Sequence, residues 1–331
     1  MTPMPPAGDA AEALRDLVAA GRFADALRTF RELDGPSVRR RPELLLLAAT
    51  AATRVGDLEA ARSLAEAALA GFRSRGDRDG RMRALNLLGV IGFEQGRLDD
   101  AEEAFRGALS LARELGDSLL VARASNNLAS LSHIRGRASE ALSLFRGALL
   151  SYQRLGDRRG AAETYHNLGL AFRGMTQLAE AEDASAEAVR HAELVGESAL
   201  LALTVTGRAE VHVDAGEIGL AEREVAHAVR LAQASDDALG VAEARRIGAR
   251  AALKRGDFEG AVREAEAAGA IAAEHGAAVL GADSAAVLAL ALRAGGSPAA
   301  EEHRRQVLAS YRALGAEPLI ERFEREWEEL G

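Results

Sequence analysis

Glycines recur along this chain at steps of forty or eighty residues, and this spacing limits its fold more than any other feature. The series consists of Gly56, Gly96, Gly136, Gly216, Gly256 and Gly296. Thr176 occupies the position between Gly136 and Gly216 where a glycine of the series is missing. A period of this length indicates an array of similar supersecondary units that stack on one another, and not one irregular core.

Alanines keep the same register as the glycines. Five residues after each mark come Ala61, Ala101, Ala141, Ala181, Ala221 and Ala261, and seven residues further come Ala68, Ala108, Ala148, Ala188, Ala228 and Ala268. Two helices can cross at the usual 8–10 Å only where side chains are small. The alanines therefore predict the points of close helix crossing.

A third feature marks where helices begin and end. Its members are Gly76-Asp77, Gly116-Asp117, Gly156-Asp157 and Gly196-Glu197, which weaken to Asp236-Asp237 and Gly276-Ala277. Glycine takes the left-handed conformation that ends a helix, and aspartate accepts backbone N–H bonds at the start of the next. Between the marks, apolar residues recur with helical spacing. Each unit is thus predicted to be a helical hairpin, such as a helix A from Arg81 to Gln95 and a helix B from Leu98 to Leu115.

Helix A of the third to fifth units carries a motif that resembles the tetratricopeptide repeat (TPR). The motif reads Asn86-Leu87-Leu88-Gly89, Asn126-Asn127-Leu128-Ala129 and His166-Asn167-Leu168-Gly169, with Phe105 and Phe145 in the following helices. The forty-residue period is similar to the long-repeat subgroup of spindle-orientation adaptors, kinesin light chains and bacterial sensor regions. The resemblance covers Ala10 to Ala316 and weakens in the last three units. It implies an all-α fold, a right-handed superhelical solenoid of about eight antiparallel helical hairpins.

This resemblance predicts the organisation of the chain. We expect a disordered tail over residues 1–8, a solenoid over 9–316 and a capping helix over 317–331. The hairpins are expected near 9–35, 41–75, 77–115, 117–155, 157–195, 197–235, 237–275 and 277–316. The terminal helix carries an apolar stripe, made of Leu319, Ile320, Phe323, Trp327 and Leu330. We expect this stripe to cover the last hairpin, with self-association or docking to a partner as the alternative.

Composition argues against several classes of function. The chain of 331 residues has no cysteine, which excludes thiolate catalysis and cysteine-ligated metal sites. Lys254, its sole lysine, does not follow the glycines of a phosphate-binding loop, and no two of its seven histidines have zinc-protease spacing. The segment Asp77-Arg78-Asp79-Gly80 resembles the start of a calcium loop but lacks the remaining ligands. We therefore predict no enzyme activity, no cofactor and no metal site.

Charge and hydropathy bear on partners and location. A net charge of −9 and an aromatic content of 4% oppose nucleic-acid binding, which needs cations and stacking side chains. No apolar stretch approaches the length of a membrane span, and the N-terminus does not resemble a secretion signal. We expect a cytoplasmic protein that binds neither nucleic acid nor membrane.

A binding site is predicted on helix A, which lines the concave wall of such an array. Asparagine offers a donor and an acceptor that match one peptide unit, and arginine selects acidic side chains or a C-terminal carboxylate. The candidate groove residues are Arg83, Asn86, Arg123, Asn126, Asn127, Ser130, His166, Asn167, Leu170, Arg173, Arg246 and Arg250. The alternative is that the asparagines bond only to the neighbouring hairpin and that the arginines are solvated surface.

Together these patterns predict a non-enzymatic scaffold or adaptor that binds a peptide segment of a partner protein, with a preference for acidic residues. The alternative is a peptide- or effector-sensing TPR module of a bacterial regulatory system. His133 and His166, at groove positions, would make binding sensitive to pH. A homo-oligomer formed through the C-terminal helix is a further possibility.

Overall fold

The fold is taken from a computed structural model, which describes residues 7–33 and 41–330. Over these two ranges the secondary structure consists of seventeen α-helices. The chain divides into two compact units, unit 1 (Met1–Leu120) and unit 2 (Val121–Gly331), where the sequence predicted one continuous array. Each unit contains its own clusters of buried apolar side chains. The predicted all-α class is confirmed.

Unit 1 contains three pairs of helices. They are α1 (Ala7–Ala19), α2 (Phe23–Glu32), α3 (Pro42–Arg54), α4 (Leu58–Ser74), α5 (Arg78–Glu94) and α6 (Leu98–Leu115). The expected disordered tail is too long by two residues, because Ala7 and Gly8 belong to α1 and alanine favours the helix. The rest of that tail lies outside the described residues.

Unit 2 takes in five further pairs and one terminal helix, with the first turn of α7 still in unit 1. The helices are α7 (Ser118–Ile134), α8 (Ala138–Leu155), α9 (Arg158–Gly174), α10 (Leu178–Val195), α11 (Ser198–Asp214), α12 (Ile218–Ala234), α13 (Ala238–Arg255), α14 (Phe258–Glu274), α15 (Ala278–Ala294), α16 (Ala300–Ala313) and α17 (Glu317–Glu329). Among the described helices, none is long and apolar enough to cross a membrane.

Helix ends follow the chemistry of the repeat. Gly156 has a φ of 69° and ends α8, and the carboxylate of Asp157 then accepts a hydrogen bond from the backbone N–H of Gly160 at 2.9 Å. Among the described residues, two other than glycine hold the same left-handed conformation, Thr176 with a φ of 59° and Asp236 with a φ of 53°. Both residues stand where a glycine of the forty-residue repeat is missing. The left-handed turn is kept at these positions, although the backbone of a residue with a side chain is strained in that conformation.

The two alanine series lie where the helices cross. All twelve alanines that follow the glycine marks by five and twelve residues have no exposed surface. Some glycines are packed as closely: a Cβ added to Gly160 would lie 2.2 Å from the ring of Tyr152. The predicted role of these small residues in helix crossing is confirmed.

The first helix of each hairpin in unit 2 contacts the first helix of the next. This holds from α9 to α11, from α11 to α13 and from α13 to α15. Side chains of α7 join the same row, because Ala129 packs in one buried cluster with Leu168 and Ala171 of α9. We call α7, α9, α11, α13 and α15 the A layer. The A layer is the surface that the sequence predicts to line a groove.

The terminal helix α17 packs on the last hairpin, as the apolar stripe suggested. It contacts α15 and α16, and Ile320, Phe323 and Trp327 are buried. Leu330 at the end of the stripe is 37% exposed, because it lies beyond the last turn of the helix. The stripe is thus covered mostly within its own chain.

Candidate functional site

Successive hairpins of the A layer carry different side chains at equivalent positions. At one position, spaced forty residues apart, the layer presents Asn126, His166, Thr206, Arg246 and Ala286. At another position it presents Ser130, Leu170, Glu210, Arg250 and Leu290. At a packing position of the same helices, by contrast, every hairpin of the layer holds a buried alanine: Ala122, Ala162, Ala202, Ala242 and Ala282. The framework is constant, and the chemistry of the A layer changes from hairpin to hairpin.

Two of the predicted asparagines bond to each other across neighbouring hairpins. The Nδ2 of Asn167 donates to Oδ1 of Asn126 at 3.3 Å, and Asn126 is buried. The hydroxyl of Ser130 donates to the carbonyl of Asn126 at 3.2 Å. Asn127 is half-buried beside them. The Asn126–Asn167 bond therefore joins α7 to α9, and it uses only part of the hydrogen-bonding capacity of each amide.

Three arginines of the A layer converge on one buried carboxylate, Glu210 of α11. Its Oε1 lies 3.2 Å from Nη1 of Arg173, 3.2 Å from Nη1 of Arg246 and 3.0 Å from Nη1 of Arg250. The side chain of Glu210 is 3% exposed and the three guanidinium groups are at most 9% exposed. Four buried charged groups from three successive hairpins therefore form one cluster.

Further carboxylates surround these arginines. Asp214 lies 3.0 Å from Arg173 and 2.9 Å from Arg250, and Glu243 lies 2.6 Å from Arg246. A third carboxylate, Glu326 of α17, lies 3.6 Å from Arg250 and 3.9 Å from Arg322 of its own helix. We call Arg173, Glu210, Asp214, Glu243, Arg246, Arg250, Arg322 and Glu326 the ion cluster. Its four cations and four anions balance, so Arg173, Arg246 and Arg250 are already paired with carboxylates of their own chain and are not the free arginines that the sequence predicted for the groove.

The balance of charge sets the ionisation of the central carboxylate. Burial by itself would raise the pKa of Glu210, because a charge is poorly solvated in the interior. The positive charges of Arg173, Arg246 and Arg250 outweigh burial and hold the pKa of Glu210 well below its usual value. Glu210 is therefore ionised at neutral pH, and the cluster is a set of full charges.

The two histidines predicted to give pH sensitivity are neutral at neutral pH. Burial lowers the pKa of His166 to about 4, and a Cβ added to Gly207 would lie 2.4 Å from its Nδ1. Burial also lowers the pKa of His133 to about 4, with a smaller contribution from Arg173. Both rings pack between helices of the A layer as uncharged groups, so they add no cation to the site.

Helix α17 lies across the C-terminal ends of the A-layer helices. At its start, Pro318 meets the turn after α7, where a Cβ on Gly136 would lie 2.8 Å from the proline ring. At its end, the Nε of Arg293 on α15 donates to the carbonyl of Trp327 at 3.2 Å. Between these points Glu326 reaches Arg250 of α13. The helix thus spans the layer from its first member to its last.

The opposite ends of the A-layer helices are open to solvent. Arg123 is exposed and hydrogen-bonds to Tyr152, a contact that partly offsets the rise in the pKa of Tyr152 caused by burial. Leu203 is 38% exposed on α11, and Glu163 on α9 is 36% exposed at its side chain. This open half of the A layer combines a cation, an apolar side chain and a carboxylate on successive hairpins.

In unit 1, two predicted site residues lie on α5. Arg83 is exposed, and its Nε donates to Asp79 one turn earlier at 2.9 Å. Asn86 is half-buried. Their positions follow the same repeat register as the residues of unit 2.

Comparison with known proteins agrees with this architecture. The model of the family described as tetratricopeptide repeat matches residues 40–114, 80–149 and 120–193. Residues 40–193 are therefore tetratricopeptide repeats. The matched repeats lie in both units and include the Asn126–Asn167 pair. No curated protein sequence matches the chain significantly.

Solved structures share the fold of this protein at low sequence identity. The Rap conjugation gene regulator of plasmid pLS20, in complex with the Phr* peptide, is 15% identical with a TM-score of 0.71, over 95% of this chain and 97% of that chain. A Rap protein complexed with competence and sporulation factor is 13% identical with a TM-score of 0.61, over 98% and 97%. NprR in complex with its cognate peptide NprX is 14% identical with a TM-score of 0.61, over 93% and 89%.

The predicted groove residues of the TPR array therefore fall into three groups. Arg173, Arg246 and Arg250 are buried and paired with carboxylates of their own chain. Another group lies inside or half-buried in the layer, and comprises Asn86, Asn126, Asn127, Ser130, His166, Asn167 and Leu170. The exposed group consists of Arg83 and Arg123. Contact of any of them with a partner stays a prediction.

Glu210 falls at an inward position of its helix in the repeat register, but the list of candidate groove residues omits it, as it omits Asp214 and Glu326. A signal for Glu210 was present, because residues forty apart occupy equivalent positions on adjacent TPR hairpins and Glu210 precedes Arg250 by forty. Opposite charges at such positions predict an ion pair. No comparable signal exists for Glu326, because α17 lies outside the repeat.

Proposed function

We propose that this protein is a non-enzymatic receptor that binds a peptide segment on the A layer of unit 2. The observation that carries the proposal is the contrast within that layer between constant packing residues and variable side chains. A surface built on a fixed framework and varied from hairpin to hairpin suits recognition of an extended or helical segment.

The open half of the A layer supports a partner with acidic residues. Arg123 offers an exposed guanidinium, which forms charge-assisted hydrogen bonds to carboxylates. Leu203 adds an exposed apolar surface. In the repeat register it is equivalent to Arg83 and Arg123, three hairpins after the first and two hairpins after the second. We infer that the peptide carries a carboxylate near Arg123 and an apolar side chain near Leu203.

A second candidate function is peptide sensing within a regulatory system. The likeness to Rap and NprR structures that hold peptides, over nearly the whole chain, favours it. A sensor changes shape when its ligand binds, whereas a scaffold holds its partner without such a change. The radius of gyration measured by X-ray scattering, with and without saturating peptide, separates the two functions.

The test is selection of 15-residue peptides from a random display library on the purified protein, followed by affinity measurement with the selected peptides. We expect acidic peptides, and we expect Arg123→Gln to weaken their binding about fivefold, which corresponds to the roughly 1 kcal/mol of an exposed ion pair. Arg146→Gln is the matched control, because Arg146 is exposed on α8 and outside the A layer. Failure to select any peptide, or equal loss with both variants, would overturn the proposal.

A further inference from the structure

We propose that α17 is an intramolecular ligand of the A layer, and that an acidic helical segment of a partner protein binds there by displacing it. The inference rests on the proposed peptide-binding function and adds a means of regulating it. The A layer then has two halves, an open half around Arg123 and a half around Arg250 that α17 occupies.

Helix α17 crosses several helices of the A layer, as a bound ligand would, and does not pack on one neighbour alone, as a further repeat would. A further repeat would contact only its neighbour in the array. Helix α17 instead reaches from the turn at Gly136, after α7, to Arg293 at the end of α15. Three hairpins, from α9 to α14, lie between those two contacts along the chain.

The chemistry of the contact matches the recognition expected of the groove. Arg250 is bound on one side by Glu210 and Asp214 of the framework, and on the other by Glu326 of α17 at 3.6 Å. Glu326 is 30% exposed at its side chain, whereas Glu210 is 3% exposed. Glu326 is therefore the carboxylate of the cluster that a carboxylate from another chain can replace at Arg250.

The contacts that keep α17 in place are limited in number. Three of its thirteen residues are buried. Its first turn has no side-chain N-cap hydrogen bond, and its last turn carries Glu328 and Glu329 but no basic residue. Acidic residues at a helix C-terminus oppose the helix dipole. The helix is thus held by three buried apolar side chains, by ion pairs and by contacts of Arg293 and Arg304 with Trp327, all of which a competing acidic helix with an aromatic pair can supply.

The same contacts define the partner. A segment that replaces α17 needs an aromatic pair one turn apart, as in Phe323 and Trp327, to fill the surface of the last hairpin. It needs a carboxylate at the register of Glu326 to meet Arg250. The fitting partner is therefore an amphipathic acidic helix, the helix-in-groove mode of recognition.

Trp327 reports directly on the state of α17. It is the sole tryptophan of the chain, it is 3% exposed, and the guanidinium groups of Arg293 and Arg304 lie 4.8 and 5.4 Å from its ring centre. We expect saturation with an acidic helical peptide that carries such an aromatic pair and carboxylate, selected from the library on Glu326→Gln, to shift its emission to the red and to increase quenching by acrylamide. Unchanged emission at saturation would contradict displacement.

Substitutions at the ion pair test the competition. We expect Glu326→Gln to strengthen binding of the same peptide about threefold, which is the effect typical of a partly exposed ion pair. Glu328→Gln is the matched control, because it makes the same change of charge on the exposed side of the same helix. Circular dichroism and the melting temperature establish that both variants keep the fold.

A cross-link distinguishes displacement from a simple change of charge. The chain has no cysteine, so Arg304→Cys and Glu324→Cys, whose present side chains lie 3.4 Å apart, provide two unique thiols on α16 and α17. A cleavable bis-maleimide joins them and fixes α17 in place. We expect the cross-linked protein to lose binding at least tenfold and to recover it when the linker is cleaved.

The outcomes separate this inference from the proposed function. A peptide that binds the cross-linked and the cleaved protein equally overturns the displacement of α17 and leaves peptide binding intact. A library that selects no peptide on the wild type or on Glu326→Gln overturns both. Binding that is lost on cross-linking, restored on cleavage and accompanied by the change in Trp327 emission supports the inference.

Discussion

The substitution Glu210→Gln tests the energetic role of the ion cluster. It keeps the volume of the side chain but removes the charge that faces Arg173, Arg246 and Arg250. Loss of one partner from a buried ion pair costs about 3–5 kcal/mol, because the remaining charge stays buried without compensation. Asp214 and Glu243 still pair with the arginines, so we expect about 3 kcal/mol, at the lower end.

The assay is differential scanning calorimetry of the full chain. For a unit of about 200 residues, a loss of 3 kcal/mol lowers the melting temperature by about 6–12 °C. The matched control is Glu264→Gln, whose single ion pair with Arg245 is 42% exposed on the glutamate and 33% on the arginine. A pair of that kind contributes less than about 1 kcal/mol. Equal melting temperatures for Glu210→Gln and the control would refute the reasoning.

The pH dependence of the free energy of unfolding provides a second test of Glu210. Because the pKa of Glu210 is well below its usual value in the folded protein, its contribution is complete above the pKa of an unfolded glutamate and is lost as the pH falls toward the folded value. The difference in stability between wild type and Glu210→Gln should therefore shrink as the pH is lowered from 5 to 3. A constant difference across that range would show that the charge is not the cause.

Three further outcomes are expected in urea unfolding. Thr176→Gly should stabilise the protein by about 0.5–1 kcal/mol, because relief of left-handed strain exceeds the added chain entropy, and a loss of stability would contradict this. Gly160→Ala should cost about 1–3 kcal/mol through its clash with Tyr152, whereas Gly147→Ala, with nothing within 4 Å of the added Cβ, should stabilise by about 0.5–1 kcal/mol. The pKa of His166 is lowered to about 4, so wild type should lose stability as the pH falls from about 6.5 toward 4, and His166→Gln should lose less.

The helical array follows from the sequence because its determinants are local. Helix α6 occupies Leu98–Leu115 as predicted, since the repeat marks both of its ends. Helix α5 begins at Arg78, three residues before the predicted Arg81, because Asp77 caps the helix that directly follows it. Errors of this size arise where a cap residue and the first apolar residue are separated.

The contents of the candidate site follow from the sequence only in part. Residues at equivalent positions of adjacent hairpins lie side by side, so the register accounts for Glu210 beside Arg250. The amphipathic pattern of α17 predicts which of its faces is buried, but it does not say which surface covers that face. The contact of Glu326 with Arg250 therefore needed the structure. Cytoplasmic location, absence of nucleic-acid binding and oligomeric state stay predictions.

The crossing of α17 over the A layer changes how unit 2 is expected to fold. In an array held only by contacts between neighbours, each hairpin adds its stability in turn and either end can fray. Contacts from Pro318 to Gly136 and from Glu326 to Arg250 instead join the end of the unit to its beginning and its middle. On the ribosome, hairpins from α7 onward can form as they emerge, but this closure waits until Glu326 has been made. Unit 2 should then become more resistant to proteolysis in a single late step, and not by equal gains with each added hairpin.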